Sequence, residues 1–259
     1  MTELIAEEST KFIEAQIKEN PFFIYIPFTA PHSPYQGPND YRPEVLPKES
    51  YLWNQSKGPK AIYYAMIESM DQAVNKILHK VEDKEMTENT LVIFMSDNGA
   101  SLSGNNGHLR SFKGRLFEGG IRVPCVVKWP GKIPAGLVSD QPCISMDFTA
   151  SIIRAAGTNP PQKRPFDGID ILKLIEENQP IQQRSLFWRA RRGNITRKAV
   201  RYGDLKYICQ TINGKLEEFL FNIKLDIEER NNLLSSSSEQ IQQLKKLLDL
   251  WEEKVEPVR

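Results

Sequence analysis

The sequence predicts an α/β fold, and three observations support this. Apolar residues recur at helical spacing from Leu4 to Ile17, and an uninterrupted apolar run, Phe22 to Phe28, follows directly. A helix that leads into a buried strand is typical of α/β architecture. A second apolar run spans Thr90 to Met95, and short strand-like runs separated by turn residues occupy the C-terminal third. We therefore predict an α/β domain over residues 1–179 and a small α+β subdomain over residues 180–259.

Composition limits the classes of function. The chain has 259 residues, a formal net charge of +1 and 40% hydrophobic residues. Near-neutral charge argues against nucleic acid or an anionic membrane as the main partner, and no apolar stretch is long enough to cross a bilayer. Residues 1–20 are charged and amphipathic rather than a signal peptide, so the protein is cytosolic or its targeting segment lies outside these residues. Cys125, Cys143 and Cys209 fit neither a disulfide framework nor a zinc site, which predicts buried structural thiols.

In the larger domain, Asn20-Pro21 ends the first helix, because a residue that precedes proline disfavours helical geometry. The run Phe22 to Phe28 has little polar alternation, so we expect a strand covered on both faces. An apolar stripe predicts a helix over residues 61–81. The remaining predicted elements are strands at 90–95 and 123–129 and helices at 146–156 and 169–177.

In the smaller subdomain, turn residues separate short strand-like runs. Asn213-Gly214 is the strongest hairpin indication, because both residues tolerate the positive φ of a tight turn. The predicted strands are residues 185–188, 198–201, 206–209 and 218–221, and the last predicted helix runs from about residue 239 to 255. The chain is thus expected to end in a small antiparallel sheet with a packed helix.

Three groups of residues are candidates for chemistry. His32 follows the first buried strand, at the sheet end where ligands bind in open α/β folds. Asp97 and Asn98 follow the second strand, and their hard oxygen ligands suit Ca²⁺ or Mg²⁺ better than zinc. Lys113 lies in a glycine-rich loop, where its ammonium could hold an anionic oxygen. Taken singly, each also fits a structural histidine, a turn or a surface lysine.

Other charged residues are interpreted as structural. The segment Glu118-Gly119-Gly120 reads as a tight junction between loop and strand, and Arg122 could pair with Glu118 or Asp97. The cluster from Arg189 to Arg192 could suggest anion binding, but on a chain this neutral a solvated edge or turn is the better interpretation.

Five blocks of sequence, in this order, resemble the sulfatase family, in particular the arylsulfatases and the N-acetylgalactosamine type of carbohydrate sulfatase. The blocks are Phe22–Pro34 (with APHSP at its end), Tyr63–Asp71 (YYAMIESMD), Phe94–Gly99 (FMSDNG), Lys113–Pro124 (KGRLFEGGIRVP) and the C-terminal series Arg201–Tyr207, Leu220–Ile223 and Glu228–Leu233. The resemblance covers nearly the whole chain.

The resemblance implies a fold and a set of roles. The fold would be alkaline-phosphatase-like, with a mixed sheet between helices, here incomplete, followed by the small antiparallel sheet. Asp97 and Asn98 would be two of the Ca²⁺ ligands, and Lys113 and His32 would contact the sulfate group. A divalent cation, an ammonium and an imidazole around one sulfate would stabilise the charge that develops during ester cleavage. A sulfated sugar or an aryl sulfate would be the substrate, and Tyr35, Tyr41, Tyr51 and Trp53 could stack on sugar rings.

One part of the family's machinery is missing. Sulfatases of this type use a formylglycine made from the Cys or Ser of a Cys/Ser-x-Pro-x-Arg motif, and no such motif occurs here. The early Asp pair that completes the Ca²⁺ site is also absent, and two ligands cannot hold Ca²⁺ tightly. We therefore expect the C-terminal part of a sulfatase that lacks turnover alone and is completed by an N-terminal half.

Three alternatives stay open. A phosphodiesterase or phosphomutase of the same superfamily would typically carry His where Asn98 stands, and would bind zinc or manganese pairs. A sulfated-glycan binding module would keep the cleft without a nucleophile. The sequence could also be a gene fragment or a split reading frame.

Overall fold

The computed structural model describes residues 1–38, 47–53, 59–159, 163, 165–236 and 238–255. The chain divides into two compact units. The N-terminal unit contains Met1–Asn105 and Pro124–Gly131, and the C-terminal unit contains Asn106–Val123 and Lys132–Arg259. The segment between residues 106 and 123 thus belongs with the C-terminal sheet, and the domain boundary near residue 180 stays a prediction. Within the described residues, no helix combines the length and apolarity that a membrane span requires.

Two helices make the core of the N-terminal unit. Helix α1 spans Thr2–Glu14 and helix α2 spans Lys60–Asp83, which confirms the helix predicted over residues 61–81. Their apolar faces pack together, and a single turn of 3-10 helix lies at Tyr51–Trp53 and another at Thr87–Asn89. The buried residues of this cluster are Ala6, Ile13, Ala73, Ile77, Val81 and Met86.

The run from Phe22 to Phe28 is where a prediction was wrong. The segment is assigned no strand, and every second residue is exposed, with Phe23 67% and Tyr25 78% accessible. Phe22, Ile26 and Phe28 pack against the α1–α2 cluster. An apolar segment is buried on both faces only if other elements pack against each face. Among the described residues, the two helices pack against one face of this segment.

The two strands predicted beyond α2 are confirmed, and they pair with each other. Strand β1 spans Val92–Met95 and strand β2 spans Cys125–Lys128, in an antiparallel register that sets Phe94 opposite Val126. β1 delivers the chain directly to the turn that contains Asp97 and Asn98.

Three short helices lie in the C-terminal unit before its sheet: α3 at Glu118–Ile121, α4 at Ser145–Ala155 and α5 at Ile171–Glu176. The buried carboxylate of Asp147 joins α4 to its surroundings. It accepts hydrogen bonds from the backbone N–H groups of Ile144, at 2.7 Å, and Ile169, at 3.0 Å, and it pairs with Arg184.

The C-terminal sheet is an antiparallel meander of four eight-residue strands in the order β3-β4-β5-β6. The strands are β3 at Ser185–Arg192, β4 at Ile195–Tyr202, β5 at Leu205–Ile212 and β6 at Lys215–Asn222. Each connection is a two-residue turn, as the sequence predicts. At Asn213 and Gly214 both φ angles are positive, 49° and 81°, which matches a turn with the twist of the flanking strands.

Both faces of this sheet are covered. Helix α6, Ser238–Lys254, packs its apolar side on one face through Leu244 and Leu248, against Val200 and Leu220. The other face packs on the segment that leads into α3, and its buried residues are Leu116, Phe117, Ala199, Ile208, Phe221 and Ile223. Since side chains alternate along a strand, Arg197 shares the second face with Ala199.

The predicted burial of the three cysteines was wrong. Cys125 and Cys143 are exposed and Cys209 is half-buried, and no disulfide joins any two of the three. Burial comes first among the influences that raise the pKa of the half-buried Cys209 thiol, so this thiol stays protonated near neutral pH.

Candidate functional site

His32 lies in a turn rather than at the end of a paired strand. Its backbone N–H donates to the Thr29 carbonyl at 2.8 Å, and its ring is exposed. Nδ1 lies 2.7 Å from the Ser33 carbonyl oxygen. A carbonyl can only accept, so the proton is on Nδ1, and donation from Nε2 to an anion requires the doubly protonated ring.

Asp97 and Asn98 occupy the turn that follows β1. The Asp97 side chain is exposed and Asn98 is half-buried, and the Ser96 hydroxyl donates to the Asn98 carbonyl at 2.9 Å. A carboxylate and an amide oxygen next to each other fit a hard cation such as Ca²⁺, but only as part of its shell of six to eight oxygens. No group of three or more His, Cys, Asp or Glu residues that could hold a metal occurs in the described ranges.

The loop that follows His32 and the loop that follows Asn98 both lie against Tyr63 of α2. Tyr35, three residues after His32, stacks edge-on against Tyr63 with ring centroids 5.9 Å apart. Its hydroxyl donates to Ser103 at 3.0 Å, in the loop that follows Asn98. In the same loop, a Cβ added to Gly104 would lie 2.7 Å from the Tyr63 hydroxyl.

Tyr35 therefore cannot stack on a sugar, because only 1% of its surface is accessible. That part of the aromatic-loop prediction was wrong. Tyr51 and Trp53 are exposed, 60% and 42%, and Tyr41 lies outside the described residues.

Lys113 is half-buried in a loop that folds back tightly on itself. The Gly119 N–H donates to the Arg110 carbonyl at 2.8 Å. A Cβ on Gly119 would lie 2.5 Å from two carbonyl oxygens, and one on Gly120 would lie 2.1 Å from the Arg115 oxygen. Only glycine fits at both positions, so Glu118-Gly119-Gly120 is tightly packed as predicted, but it forms the start of helix α3 rather than a junction that leads directly into a strand.

A buried ion cluster fastens this junction to the C-terminal sheet. Lys206 of β5 has no accessible surface, and its Nζ lies 2.8 Å from Glu118 and 3.0 Å from Glu229. The second oxygen of Glu229 accepts the Glu118 backbone N–H at 2.6 Å. We call Glu118, Lys206 and Glu229 the Lys206 cluster. It holds the start of α3, and with it the loop that carries Lys113.

The two carboxylates of the Lys206 cluster differ in their acidity. Burial raises the pKa of Glu118, but the attraction and hydrogen bond of Lys206, together with attraction to Arg201 and Arg122, outweigh burial, so the pKa lies below its ordinary value. For Glu229 burial prevails over Lys206 and raises the pKa. Arg122 lies 3.4 Å from Glu118, which confirms one of its two predicted partners.

Sequence reasoning missed Lys206 and Glu229. Lys206 sits between apolar residues of a strand, and Glu229 follows another acidic residue, so neither has a local pattern that indicates burial. The one hint in the sequence is that Lys206 interrupts a run of apolar residues. Of the basic cluster on β3, Arg191 and Arg192 are exposed at the sheet edge, as predicted, and Arg189 lies 3.6 Å from Glu252.

The structure does not bring all predicted site residues into one compact unit. His32, Asp97 and Asn98 belong to the N-terminal unit, whereas Lys113 belongs to the C-terminal one. The convergence of the four on one anion stays a prediction.

Comparison with known proteins gives a consistent result. Residues 1–158 match the family model described as Sulfatase, and residues 107–255 match the model described as N-sulphoglucosamine sulphohydrolase, C-terminal. The chain is 34% identical to the N-acetylgalactosamine-6-sulfatase of Canis lupus familiaris over 226 residues, which is 85% of this chain and 40% of that protein. It is 30% identical to a sulfatase of Formosa agariphila over 93% of its own length and 47% of the relative's.

Solved structures agree with these matches. The structure of Ps i-CgsB has a TM-score of 0.83 and 25% identity, with 96% of this chain and 54% of that one covered. Its complex with k-i-k-neocarrahexaose has a TM-score of 0.80 over the same shares. The phosphonate monoester hydrolase of Agrobacterium radiobacter, with 20% identity, a TM-score of 0.69 and coverage of 97% and 60%, shares the fold. The chain thus spans less than half of the length of the two sulfatase relatives and 54–60% of these solved chains.

Proposed function

The chain belongs to the sulfatase family of sulfuric ester hydrolases, and we propose that it supplies the sulfate-binding side of an active site for a sulfated carbohydrate or aryl sulfate. The observation that carries the proposal is the rigid loop of Lys113. Two glycines without room for a side chain and the buried Lys206 cluster fix the loop that bears this ammonium. Such fixation is what a charge aimed at a developing anion requires, because no reorganisation is then needed during reaction.

In this proposal each residue has a separate task. Lys113 holds a peripheral sulfate oxygen as a point charge. His32, with its Nδ1 proton on the Ser33 carbonyl, presents Nε2 to the ester and donates there when the ring is doubly protonated. Asp97 and Asn98 contribute two oxygens to a Ca²⁺ site completed by other ligands. The cation would supply charge stabilisation to the sulfate oxygens.

The nucleophile is proposed to come from outside these 259 residues, because they contain no Cys/Ser-x-Pro-x-Arg motif. The partner would be an N-terminal sulfatase half that carries the formylglycine. This predicts a chain that binds a sulfate group and does not turn it over alone.

Hydrolysis of 4-nitrophenyl sulfate tests this proposal. We expect no turnover by the purified chain, and Ca²⁺-dependent turnover after a formylglycine-bearing N-terminal half is added. Sustained hydrolysis by the chain alone would defeat the idea of a missing nucleophile.

A second candidate function is a non-catalytic module that binds sulfated glycans, which the missing motif favours. Binding of sulfated oligosaccharides without hydrolysis in any combination would support it. Phosphodiesterase chemistry is the third candidate, and tightly bound zinc or manganese in the purified protein would favour it.

A further inference from the structure

We infer that Arg115 and Arg197 form an anion-binding subsite beside the Lys113 loop, which takes a second oxyanion, sulfate or carboxylate, of a polyanionic glycan. The inference rests on the proposed function for the identity of the glycan. The subsite itself rests on the two guanidinium groups, which we call the arginine pair.

Arg197 is a largely buried cation that forms no salt bridge with the residues that the structure describes. Only 8% of its surface is accessible, and its Nε has no hydrogen-bond partner. The salt bridges formed among the described residues do not include it. A buried charge is ordinarily paired, because removal from water costs several kcal/mol that a partner must offset. The half-buried Arg184 also has an Nε without a hydrogen-bond partner, but its terminal nitrogens pair with Asp147, whereas Arg197 has no such carboxylate among the described residues.

The side chains around Arg197 offer no carboxylate to it. Gln210 lies directly opposite Arg197 on β5, and its amide donates a hydrogen bond to Glu217 of β6 at 2.9 Å. The Glu217 carboxylate is thus bound by Gln210 and lies two strands away from Arg197. The charged neighbour is instead Arg115. Burial first, and then repulsion from Arg115, lower the pKa of Arg197.

The fold places Arg115 over this part of the sheet. Leu116 and Phe117, the next two residues, are buried in the cluster that contains Ala199 of β4. Ala199 is two residues from Arg197, on the same sheet face. Arg115 is half-buried, with its guanidinium carbon 5.7 Å from the Phe112 ring centroid. An anion between the two guanidiniums would relieve their repulsion and satisfy the buried Nε.

The ligand class follows from this chemistry and from position. Planar guanidinium groups match the paired oxygens of sulfate and carboxylate groups and bind them bidentately. Arg115 is two residues from Lys113, so the second anion would belong to the molecule whose sulfate Lys113 contacts. A substrate with at least two anionic groups is the expected class.

Arginine side-chain NMR tests the subsite directly. Sodium sulfate is titrated into the ¹⁵N-labelled chain at constant ionic strength, with sodium chloride as the reference and sodium acetate as the carboxylate arm. We expect the Nε–H resonance of Arg197 to shift and saturate with sulfate or acetate, and that of the exposed Arg192 to stay near its chloride position. The anion that binds more tightly identifies the group that the subsite prefers.

Variants separate this inference from the proposed function. Arg115→Gln, on a half-exposed loop, should weaken sulfate binding at Arg197 roughly tenfold, the loss expected for one charged hydrogen bond. Lys113→Met should leave the saturating Arg197 shift in place. Failure of Arg197 to respond, or an equal response of Arg192, overturns the subsite whatever the hydrolysis assay shows. A saturating shift without reconstituted hydrolysis would instead overturn the sulfatase proposal alone.

Discussion

The same face of the C-terminal sheet carries two buried groups of charge, and they are built in opposite ways. In the Lys206 cluster, a cation with no accessible surface lies within 3.0 Å of two carboxylates. In the arginine pair, Arg197 is 8% accessible, its Nε has no hydrogen-bond partner among the described residues, and repulsion from Arg115 contributes to its lowered pKa after burial. The two groups suggest two uses of charge on this face. The paired Lys206 cluster fixes a loop, and the arginine pair is proposed to bind an anion.

Removal of the central cation should have the largest effect on stability. We expect Lys206→Met to lower the free energy of unfolding by about 3–5 kcal/mol, because it leaves two carboxylates buried without their counter-charge. Urea denaturation measures this loss. Lys215→Met on β6, where the lysine side chain is 81% exposed, is the matched control and should change stability by no more than about 0.5 kcal/mol. Equal effects of the two variants on stability would show that the Lys206 cluster has no structural role.

The two carboxylates should not contribute equally. The folded pKa of Glu118 is lowered, so its contribution to stability is present at pH 7 and is lost as the pH falls through that pKa. The folded pKa of Glu229 is raised, so its contribution is present at low pH and is lost as the pH rises through that pKa. At pH 7 we expect Glu118→Gln to cost about 3 kcal/mol and Glu229→Gln about 1 kcal/mol.

Urea titrations of both variants over a range of pH check this difference. The penalty of Glu118→Gln should shrink as the pH is lowered, because the wild-type carboxylate then becomes protonated as well. A larger cost for Glu229→Gln than for Glu118→Gln at pH 7 would show that the two roles are assigned the wrong way round.

A smaller effect is expected where the loop meets α3. A methyl group at position 120 would lie 2.1 Å from the Arg115 carbonyl oxygen. Gly120→Ala should therefore lower stability by about 1–3 kcal/mol, the usual cost of overpacking. Thermal unfolding provides the measurement. Gly37→Ala serves as control. The added methyl group would lie 3.8 Å from the Ile62 side chain, which is an ordinary van der Waals distance, so this change should be tolerated.

The smallest change is expected at the arginine pair. If Arg197 has no structural partner, Arg197→Met in a buffer free of sulfate and carboxylate should change stability by less than about 1 kcal/mol, or raise it, since an uncompensated buried charge is removed. Urea denaturation in chloride buffer tests this. A loss as large as that of Lys206→Met would mean that Arg197 serves the fold.

The sequence predicts a structural feature well when the residues that determine it are close together in the chain. Helix α2 and the hairpin turn at Asn213-Gly214 follow from periodicity and from φ preferences within a few residues, and both predictions are confirmed. The run from Phe22 to Phe28 failed because its burial depends on which layers cover it. Side-chain pattern alone does not reveal those layers.

The site follows the same rule. The turn that carries Asp97 and Asn98, and the tight glycine junction after Lys113, could be placed from sequence order and motif. The ion pair of Lys206 with Glu118 joins residues 88 positions apart. Such long-range pairs emerge only when the sheet and the loop are packed together, which is why the arginine pair has no local sequence pattern either.

The central claim is that this chain supplies the sulfate contact of a sulfatase through Lys113. It is tested most directly by 4-nitrophenyl sulfate hydrolysis with wild-type and Lys113→Met chains, each combined with the same formylglycine-bearing N-terminal half. Loss of one donor to a developing anion costs roughly 100- to 1000-fold in rate, so the variant should be slower by that factor. Equal rates for the two chains would contradict the claim.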